Sequence, residues 1–329
     1  MEQRQLGANG PWVSAVGFGA WAVGGANRFG WSGVSDDASI RAIRRAIEAG
    51  VNWVDTAAFY GKGHSEEVVA RALEPYAVGD DVFVFTKCGL RWDPSGGPDA
   101  PPTNDLSPDS IRYECEQSLR RLGVEQIDLY QFHWPDQTGV PVEESWTTMT
   151  ELVDEGKVRW IGVSNFDVDL LARCERIRHV DSVQPPLSII QPDAARDVIP
   201  WARARGTGVL VYSPIASGLL SGRFDRARAE SLPEDDWRRD APAFNEPELS
   251  RNLAVVERLA TMIEGTGITM PELAVAWTLS VPGVTAAIVG ARNPEQVEGW
   301  VSAPQIELDA KVRAEIDALI ATAEVSAAV

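Results

Sequence analysis

The stretch Ile127-Asp128-Leu129-Tyr130-Gln131-Phe132-His133 is short and rich in branched and aromatic side chains, and it predicts a buried strand that ends on an imidazole. Two earlier runs have the same form: Asn52-Trp53-Val54 closes on Asp55, and Val82-Phe83-Val84-Phe85-Thr86 closes on Lys87. Between the second and third runs lies a helix-period segment, 108–122, opened by Ser107-Pro108 and closed by Gly123. Strand, helix and strand in that order predict parallel neighbours in one sheet. A charge or imidazole at the end of a buried strand costs free energy unless it has a partner or a task. Three of them at successive strand ends suggest a shared site. Tyr60 adds a phenol, in the glycine-bounded stretch Ala57-Ala58-Phe59-Tyr60-Gly61.

Outward from this centre the alternation continues. A hairpin is expected in residues 3–19 with its turn at Asn9-Gly10. The helix at 36–49 is expected to be capped by Asp36 or Asp37 and to end at Gly50. Further helices are expected at 65–75, 142–155, 167–177 and 195–204, and strands at 158–163, 182–184 and 208–212. The C-terminal part reads as helices at 249–263 and 271–279, a strand at 285–289, and helices at 294–300 and 309–323. With a strand at 15–19 this makes eight strand–helix units without a linker. The expected fold is therefore an α/β protein with one domain over residues 1–329, a closed (β/α)8 TIM barrel with an N-terminal β-hairpin and extra C-terminal helices. Active sites of such barrels lie at the C-terminal strand ends, where Asp55, Lys87 and His133 fall. Two connections, 89–106 and 214–247, are too long for plain turns and are expected to shape a pocket.

Composition narrows the functional classes. The 329-residue chain is 44% hydrophobic and carries a formal net charge of −18. Nucleic acid and anionic membrane both need basic patches, so neither is an expected partner. Lysine occurs only at positions 62, 87, 157 and 311, which makes Lys87 at a strand end conspicuous. Cys88, Cys115 and Cys174 are scattered and odd in number, as free thiols of a reducing cytosol would be, and the N-terminus has no signal-peptide core. A cytoplasmic protein is expected. His64, His133 and His179 lack metal-ligand spacing, so no metal site is expected.

The four polar residues have a chemical logic. A phenol is a poor acid, and a neighbouring ammonium lowers its pKa while a carboxylate holds that ammonium charged and oriented. An imidazole nearby can polarise a carbonyl oxygen. Together they make a proton donor suited to an oxygen that becomes an alkoxide, as hydride transfer to a carbonyl requires. A buried structural ion pair is the plain alternative for Asp55 and Lys87, as is a hydrogen-bonded core histidine for His133.

These residues sit in motifs that together resemble the aldo-keto reductase superfamily over nearly the whole chain. They are Gly17-Phe18-Gly19-Ala20-Trp21, Asp55-Thr56-Ala57-Ala58-Phe59-Tyr60-Gly61, Gly63-His64-Ser65-Glu66, Thr86-Lys87 and Asp128 through Trp134. Gly162-Val163-Ser164-Asn165-Phe166, Tyr212 through Leu220 and Gly290-Ala291-Arg292 complete the series. Residues 30–33 (Gly-Trp-Ser-Gly) and Gln184-Pro185-Pro186 look most like a bacterial subgroup that includes an inositol-operon reductase and a general stress protein.

The resemblance implies Tyr60 as general acid, tuned by Lys87 and Asp55, with His133 orienting the carbonyl. It places Ser164, Asn165 and Gln184 on a nicotinamide carboxamide, Tyr212 beneath the ring, and Ala20 and Trp21 at the cofactor. Ser213, Pro214, Ile215, Gly218, Leu219, Gly222 and Arg223 match the segment around the pyrophosphate. Gly290, Arg292 and Gln296 match the region of the 2′-phosphate and adenosine, which implies NADP(H), with NAD possible. Trp21, Trp92 and Trp134, beside Tyr60 and His133, either line a substrate pocket or pack in the core. Gly299-Trp300 departs from the Glu-Asn pair common in the family, and Leu187 from an aromatic residue. The implied activity is reduction of aldehydes or ketones. A sugar dehydrogenase is a second reading, with a carbonyl or sugar substrate in either case, and a cofactor-binding regulatory subunit is a third. The oligomeric state is not legible.

Overall fold

In the computed structural model, which describes residues 1–25, 30–31, 33–93, 95, 97 and 100–327, the three runs that end on Asp55, Lys87 and His133 are neighbouring parallel strands. The chain opens with β1 (Gln3–Gln5) and β2 (Trp12–Ser14), followed by β3 (Val16–Gly19), α1 (Asp36–Glu48), β4 (Trp53–Asp55), α2 (His64–Leu73) and β5 (Phe83–Cys88). A small antiparallel pair, β6 (Leu90–Arg91) and β7 (Thr103–Asn104), precedes α3 (Pro108–Leu122), β8 (Ile127–Phe132), α4 (Val142–Asp154), β9 (Val158–Ser164) and α5 (Val168–Glu175). Next come β10 (Ser182–Gln184), α6 (Val198–Arg205), β11 (Gly208–Tyr212), α7 (Arg226–Glu230), α8 (Glu248–Ile263) and α9 (Met270–Ser280). The chain finishes with β12 (Ala286–Gly290), α10 (Pro294–Glu298) and α11 (Ala310–Ala327). Strands β3, β4, β5, β8, β9, β10, β11 and β12 close on themselves as a parallel barrel, the expected (β/α)8 architecture.

The strand period of two explains the core. Outward-facing Val54, Val84, Cys88, Tyr130, Phe132 and Val163 meet the helices in the main core. Inward-facing Trp53, Phe85, Leu129 and Leu210 fill the lower barrel, together with Leu6 and Val13 from the hairpin. Along the same inward rows, two residues further, stand Asp55 after Trp53 and Lys87 after Phe85, and His133 stands four after Leu129. The polar ends are thus continuous with an apolar plug. Gly17 makes room for it: a Cβ there would lie 2.1 Å from the Trp53 ring.

Three local expectations are corrected. The hairpin forms, but Gln5 pairs with Trp12, so the connection spans 6–11 rather than two residues at Asn9-Gly10. Gly7 takes the left-handed conformation instead, and Leu6 turns inward, 1% exposed, to cap the barrel floor. Burial of that leucine outweighs the local preference for a tight turn. At α1 the cap is Ser35, whose hydroxyl accepts from Ala38 N–H. Asp36 lies in the first turn, paired with Arg71 and His64. The last helix also runs to Ala327 rather than 323. The 214–247 segment carries a satellite core of Leu219, Phe224, Leu232, Phe244 and Leu249.

Candidate active site

Asp55 and Lys87 stand on adjacent strands, and the Lys87 ammonium donates to Asp55 Oδ1 at 2.5 Å and to the Thr56 carbonyl at 2.9 Å. Both side chains are essentially dry, 1% and 4% exposed. A buried pair of this kind persists only where the remaining lone pairs are also met. Here Gln184 Nε2 donates to Asp55 Oδ2 at 2.9 Å, and it also reaches Gln131 Oε1 at 3.3 Å. A further buried carboxylate, Glu66, accepts from Thr86 Oγ1 and Arg121 Nε, both at 2.6 Å, and so anchors the strand beside Lys87.

Tyr60 starts a turn of 3-10 helix just beyond β4. Gly61 (φ +62°) presses its backbone on Gly24, where a Cβ would sit 2.2 Å from the Gly24 carbonyl oxygen. This close approach fixes the turn against the Trp21–Gly24 segment. Lys87 Nζ lies 5.4 Å from the Tyr60 ring centroid, and the His133 ring meets Tyr60 edge-on at 5.5 Å. The four side chains predicted at separate places in the sequence are therefore in one constellation.

Its electrostatics differ from the simplest expectation. Burial pushes the Tyr60 phenol well above its ordinary pKa, and the charge of Asp55 adds to this. The Lys87 ammonium does not reverse it, because Lys87 and Asp55 present the phenol with a nearly neutral pair. Tyr60 is held as phenol, the form that donates a proton. Burial also lowers the Lys87 ammonium, opposed by Asp55. Burial and then the Lys87 charge hold His133 well below the usual imidazole range, so it is neutral at neutral pH. Its Nδ1 is buried without a partner. A proton on Nδ1 would be an unmet donor, so the favoured tautomer carries it on Nε2.

These groups open into a cleft of about 1480 Å³ at the C-terminal ends of the strands. Asn165 ties its walls together: its Nδ2 donates to the His133 carbonyl at 2.9 Å, and its Oδ1 accepts from the Tyr212 hydroxyl at 2.8 Å. Ser164 Oγ donates to the Gln184 carbonyl at 2.8 Å. Burial raises the Tyr212 phenol to about 12. Residues 213–222 form the far wall through a run of tight turns, with Ser213, Ala216 and Ser217 all at positive φ. Gly290 at the end of β12, and Arg292 and Gln296 beyond it, line the same cleft, and Gln296 Oε1 accepts from the Arg292 backbone N–H at 2.8 Å. Trp21, Trp134, Pro214, Ile215, Gly218, Gly222 and Arg223 also face it.

Three residues expected at the cleft are elsewhere. Ala20 is fully buried in the frame behind the site, its N–H donating to Asp55 O and its carbonyl accepting from Ser65 Oγ. Leu219 packs in the satellite core. Trp92 leans on Phe59 at 6.3 Å, behind the wall and not in it. Ala20 and Leu219 sit beside Trp21 and Gly218, which do face the cleft, and motif position alone does not say which neighbour points in.

The sequence reading missed an aromatic–arginine cluster. Trp31 lies 5.7 Å from Trp21 and 6.2 Å from Trp237, and Arg238 and Arg292 stand 4.7 and 5.7 Å from its ring. Arg228 joins them around a side recess of about 140 Å³. Arg238 is neutralised by Asp236 at 2.6 Å. Burial, with Arg238 and Arg228 nearby, makes the Arg292 charge harder to hold. An anion would relieve that. No periodic pattern marks residues 228–238, so only a count of arginines in that loop could have hinted at them. Trp300, at the departure from the family pattern, also lines the cleft, and its indole N–H is buried without a partner.

The cleft, its turns and its arginines fit a dinucleotide: a neutral amide-rich end beside Tyr60, a strained backbone segment midway, and a positive recess at the far end. Comparison with known proteins agrees. The Aldo/keto reductase family model matches residues 15–321. The chain is 35% identical over 311 residues to aldo-keto reductase YhdN of Bacillus subtilis (strain 168), covering 91% of this chain and 89% of that one. It is 33% identical over 322 residues to the NADH-specific methylglyoxal reductase of Escherichia coli (strain K12), covering 94% and 95%. Among solved structures, the glycerol dehydrogenase AKR11B4 from Gluconobacter oxydans superposes with a TM-score of 0.87 at 35% identity, over 97% of this chain and 95% of that one. The aldo-keto reductase AKR11C1 from Bacillus halodurans, in its holo form, gives 0.78 at 27% identity, over 97% and 96%.

Proposed function

The chain belongs to the aldo/keto reductase family, and from that premise we propose that it reduces small aldehydes or ketones with NADP(H), Tyr60 being the proton donor. The observation that carries the reading is the dry Lys87–Asp55 pair set against the Tyr60 ring, with neutral His133 edge-on to it, at the floor of a large cleft. A bound nicotinamide supplies hydride to the carbonyl carbon. The protein's part is acid catalysis and orientation. His133 Nε2–H polarises the carbonyl oxygen, and Tyr60 transfers its proton to that oxygen as negative charge develops there. Lys87, held charged and in place by Asp55, then stabilises the tyrosinate until it is reprotonated. Ser164, Asn165 and Gln184 are the residues that would hold the carboxamide, and Tyr212 the ring face.

NADP(H) is favoured over NAD(H) by Arg292 and Arg228: among the described residues neither forms a salt bridge, whereas Arg238 pairs with Asp236, and three arginines face two carboxylates, Asp235 and Asp236, around the recess. The Escherichia coli relative is named for NADH, so this preference belongs to the present chain's own residues. The oxidative direction, toward which the name of the Gluconobacter neighbour points, uses the same groups in reverse. A titration of tryptophan fluorescence with NADPH and NADH, followed by aldehyde reduction assays, tests the reading. Tighter NADPH binding and steady turnover are expected. Tighter NADH binding would overturn the cofactor assignment, and cofactor binding without turnover of any carbonyl would overturn the reductase assignment.

A further inference from the structure

The motif Gly63-His64-Ser65-Glu66 lines no part of the cleft, yet Ser65 and Glu66 are completely buried. It opens α2, directly after the turn that carries Tyr60. Ser65 Oγ donates to the Ala20 carbonyl at 2.9 Å, so in its contact with Thr56 Oγ1, also at 2.9 Å, the threonine donates. Glu66 accepts from Thr86 Oγ1 on one oxygen and from Arg121 Nε on the other. Thr56 follows Asp55 and Thr86 precedes Lys87, and strand alternation turns these hydroxyls outward while the charged neighbours point inward. The first turn of α2 therefore grips two strand ends, each one residue from a member of the ion pair.

The grip reaches the ammonium itself. The Thr56 carbonyl accepts from Lys87 Nζ at 2.9 Å, its N–H donates to the Phe85 carbonyl at 2.8 Å, and Ala58 N–H donates to the Lys87 carbonyl at 3.3 Å. Stability alone does not call for this arrangement. Glu66 is dry while its cation, Arg121, is still 17% exposed, and apolar side chains of similar shape can fill such a space without loss of stability. The charge of Glu66 also bears on Lys87: burial lowers the ammonium's pKa, and Asp55 and Glu66 oppose this. Among the described residues, the charged and titratable groups around Lys87 are Asp55 from β4, Tyr60 from the turn, His133 just past β8 and Glu66 from α2.

Resting on the reading of Tyr60 as acid and Lys87 as its partner, we propose that Ser65 and Glu66 are positioning residues for the proton transfer, holding Asp55 and Lys87 in register with the Tyr60 ring through Thr56 and Thr86. The proton donor and the grip on its charged partners are carried by one short segment of chain, the Tyr60–Gly63 turn and the start of α2. As Tyr60 gives up its proton, the tyrosinate needs the ammonium already in place. A group set in advance for the developing charge lowers the barrier, whereas one that must first move into position does not.

Thr86→Val keeps the shape of the side chain and removes its hydroxyl. It should lower kcat about tenfold, leave the NADPH dissociation constant within about twofold, and be rescued by Thr86→Ser. Ser65→Ala should act in the same direction. Glu66→Gln should lower kcat and move the alkaline limb of its pH profile to lower pH, because an ammonium that loses a nearby negative charge releases its proton more readily. Lysine occurs only at positions 62, 87, 157 and 311, so protein labelled with carbon-13 at lysine Cε gives a spectrum of four signals, and Lys87→Met identifies the one from Lys87. That signal should titrate at lower pH in Glu66→Gln than in the unaltered protein, a comparison that needs no turnover. Unchanged kcat in Thr86→Val and Ser65→Ala, with only the melting temperature lowered, would overturn the proposal, as would an unmoved Lys87 titration in Glu66→Gln. If the titration moves but the unaltered protein reduces no aldehyde, the hold on Lys87 stands and the reductase reading falls. Thr86→Val and its serine rescue carry the test alone if Glu66→Gln does not fold.

Discussion

The floor and the mouth of this barrel are lined by the same inward rows of the same strands, yet they do opposite things. At the floor, Trp53, Phe85, Leu129 and Leu210 meet Leu6 and Val13 with no polar side chain among them. At the mouth, the next inward positions on β4 and β5 are Asp55 and Lys87, and the amide of Gln184 stands where a floor residue would be apolar. One step along a strand, about 7 Å for two residues, separates a packed plug from a charged constellation. The plug makes the constellation affordable to the fold: apolar burial below supplies the stability that dry charges above subtract.

The largest effect expected from breaking the mouth is Tyr60→Phe. It should lower kcat by about 10²–10⁴-fold, the range of a lost general acid. Cofactor affinity by fluorescence and the melting temperature should stay near their original values, because the ring and its packing remain. Full turnover in that variant would show that the mouth is structural like the floor. Trp53→Ala makes the converse break. It should cost about 3–5 kcal/mol in urea unfolding, through a cavity beside Gly17, while the NADPH dissociation constant of the folded fraction changes little. An unchanged denaturation midpoint would mean that the plug does not carry the stability assigned to it.

The comparison sharpens with a third buried carboxylate. Asp55 has Lys87, but Glu114, on α3 outside the barrel, has only Gly89 N–H and Ser110 Oγ, both at 3.1 Å on one oxygen. Its other oxygen is unpartnered, and burial raises its pKa to about 7 from 4.5. An acid whose folded pKa is raised stabilises the fold below the unfolded value and loses that contribution as pH climbs toward the folded one. Glu114 should therefore destabilise progressively from pH 4.5 to about 7 and by a constant amount above, on the order of 3 kcal/mol. Glu114→Gln should be close to the unaltered protein in stability at pH 4.5 and more stable by about that amount at pH 8. Denaturant curves at the two pH values check it; parallel stability of the two proteins across the range would remove the contrast with Asp55.

How much of this was legible beforehand follows from where each residue lies. Asp55, Lys87 and His133 stood out because each ends a run whose other members are apolar, and a polar group in that setting is a contradiction that chemistry must resolve. Tyr60 was found through its short distance from Asp55. Trp31 and Arg238 lie in the long connections and Arg228 on the short α7 within one of them, where polar and aromatic residues are ordinary and no period distinguishes one that faces a cleft from one that faces water. The hairpin turn was misplaced for a related reason. The Asn9-Gly10 preference is local and small, whereas the pull on Leu6 comes from a cluster of side chains on β2 and on five barrel strands, β4, β5, β8, β11 and β12.

The sequence by itself determined the order of strands and helices, the closed barrel that eight such units make, and the polar strand ends, because all three follow from periodicity and from the cost of burying a charge. Only the tertiary structure decided the protonation states, since burial and the matched charge of Asp55 together hold Tyr60 as phenol and the site keeps His133 neutral. It alone also gathered Arg228, Arg238 and Arg292 around one recess at the far end of the cleft, because that grouping is made by segments from distant parts of the chain, and their meeting is fixed by the closure of the barrel rather than by any pattern within them.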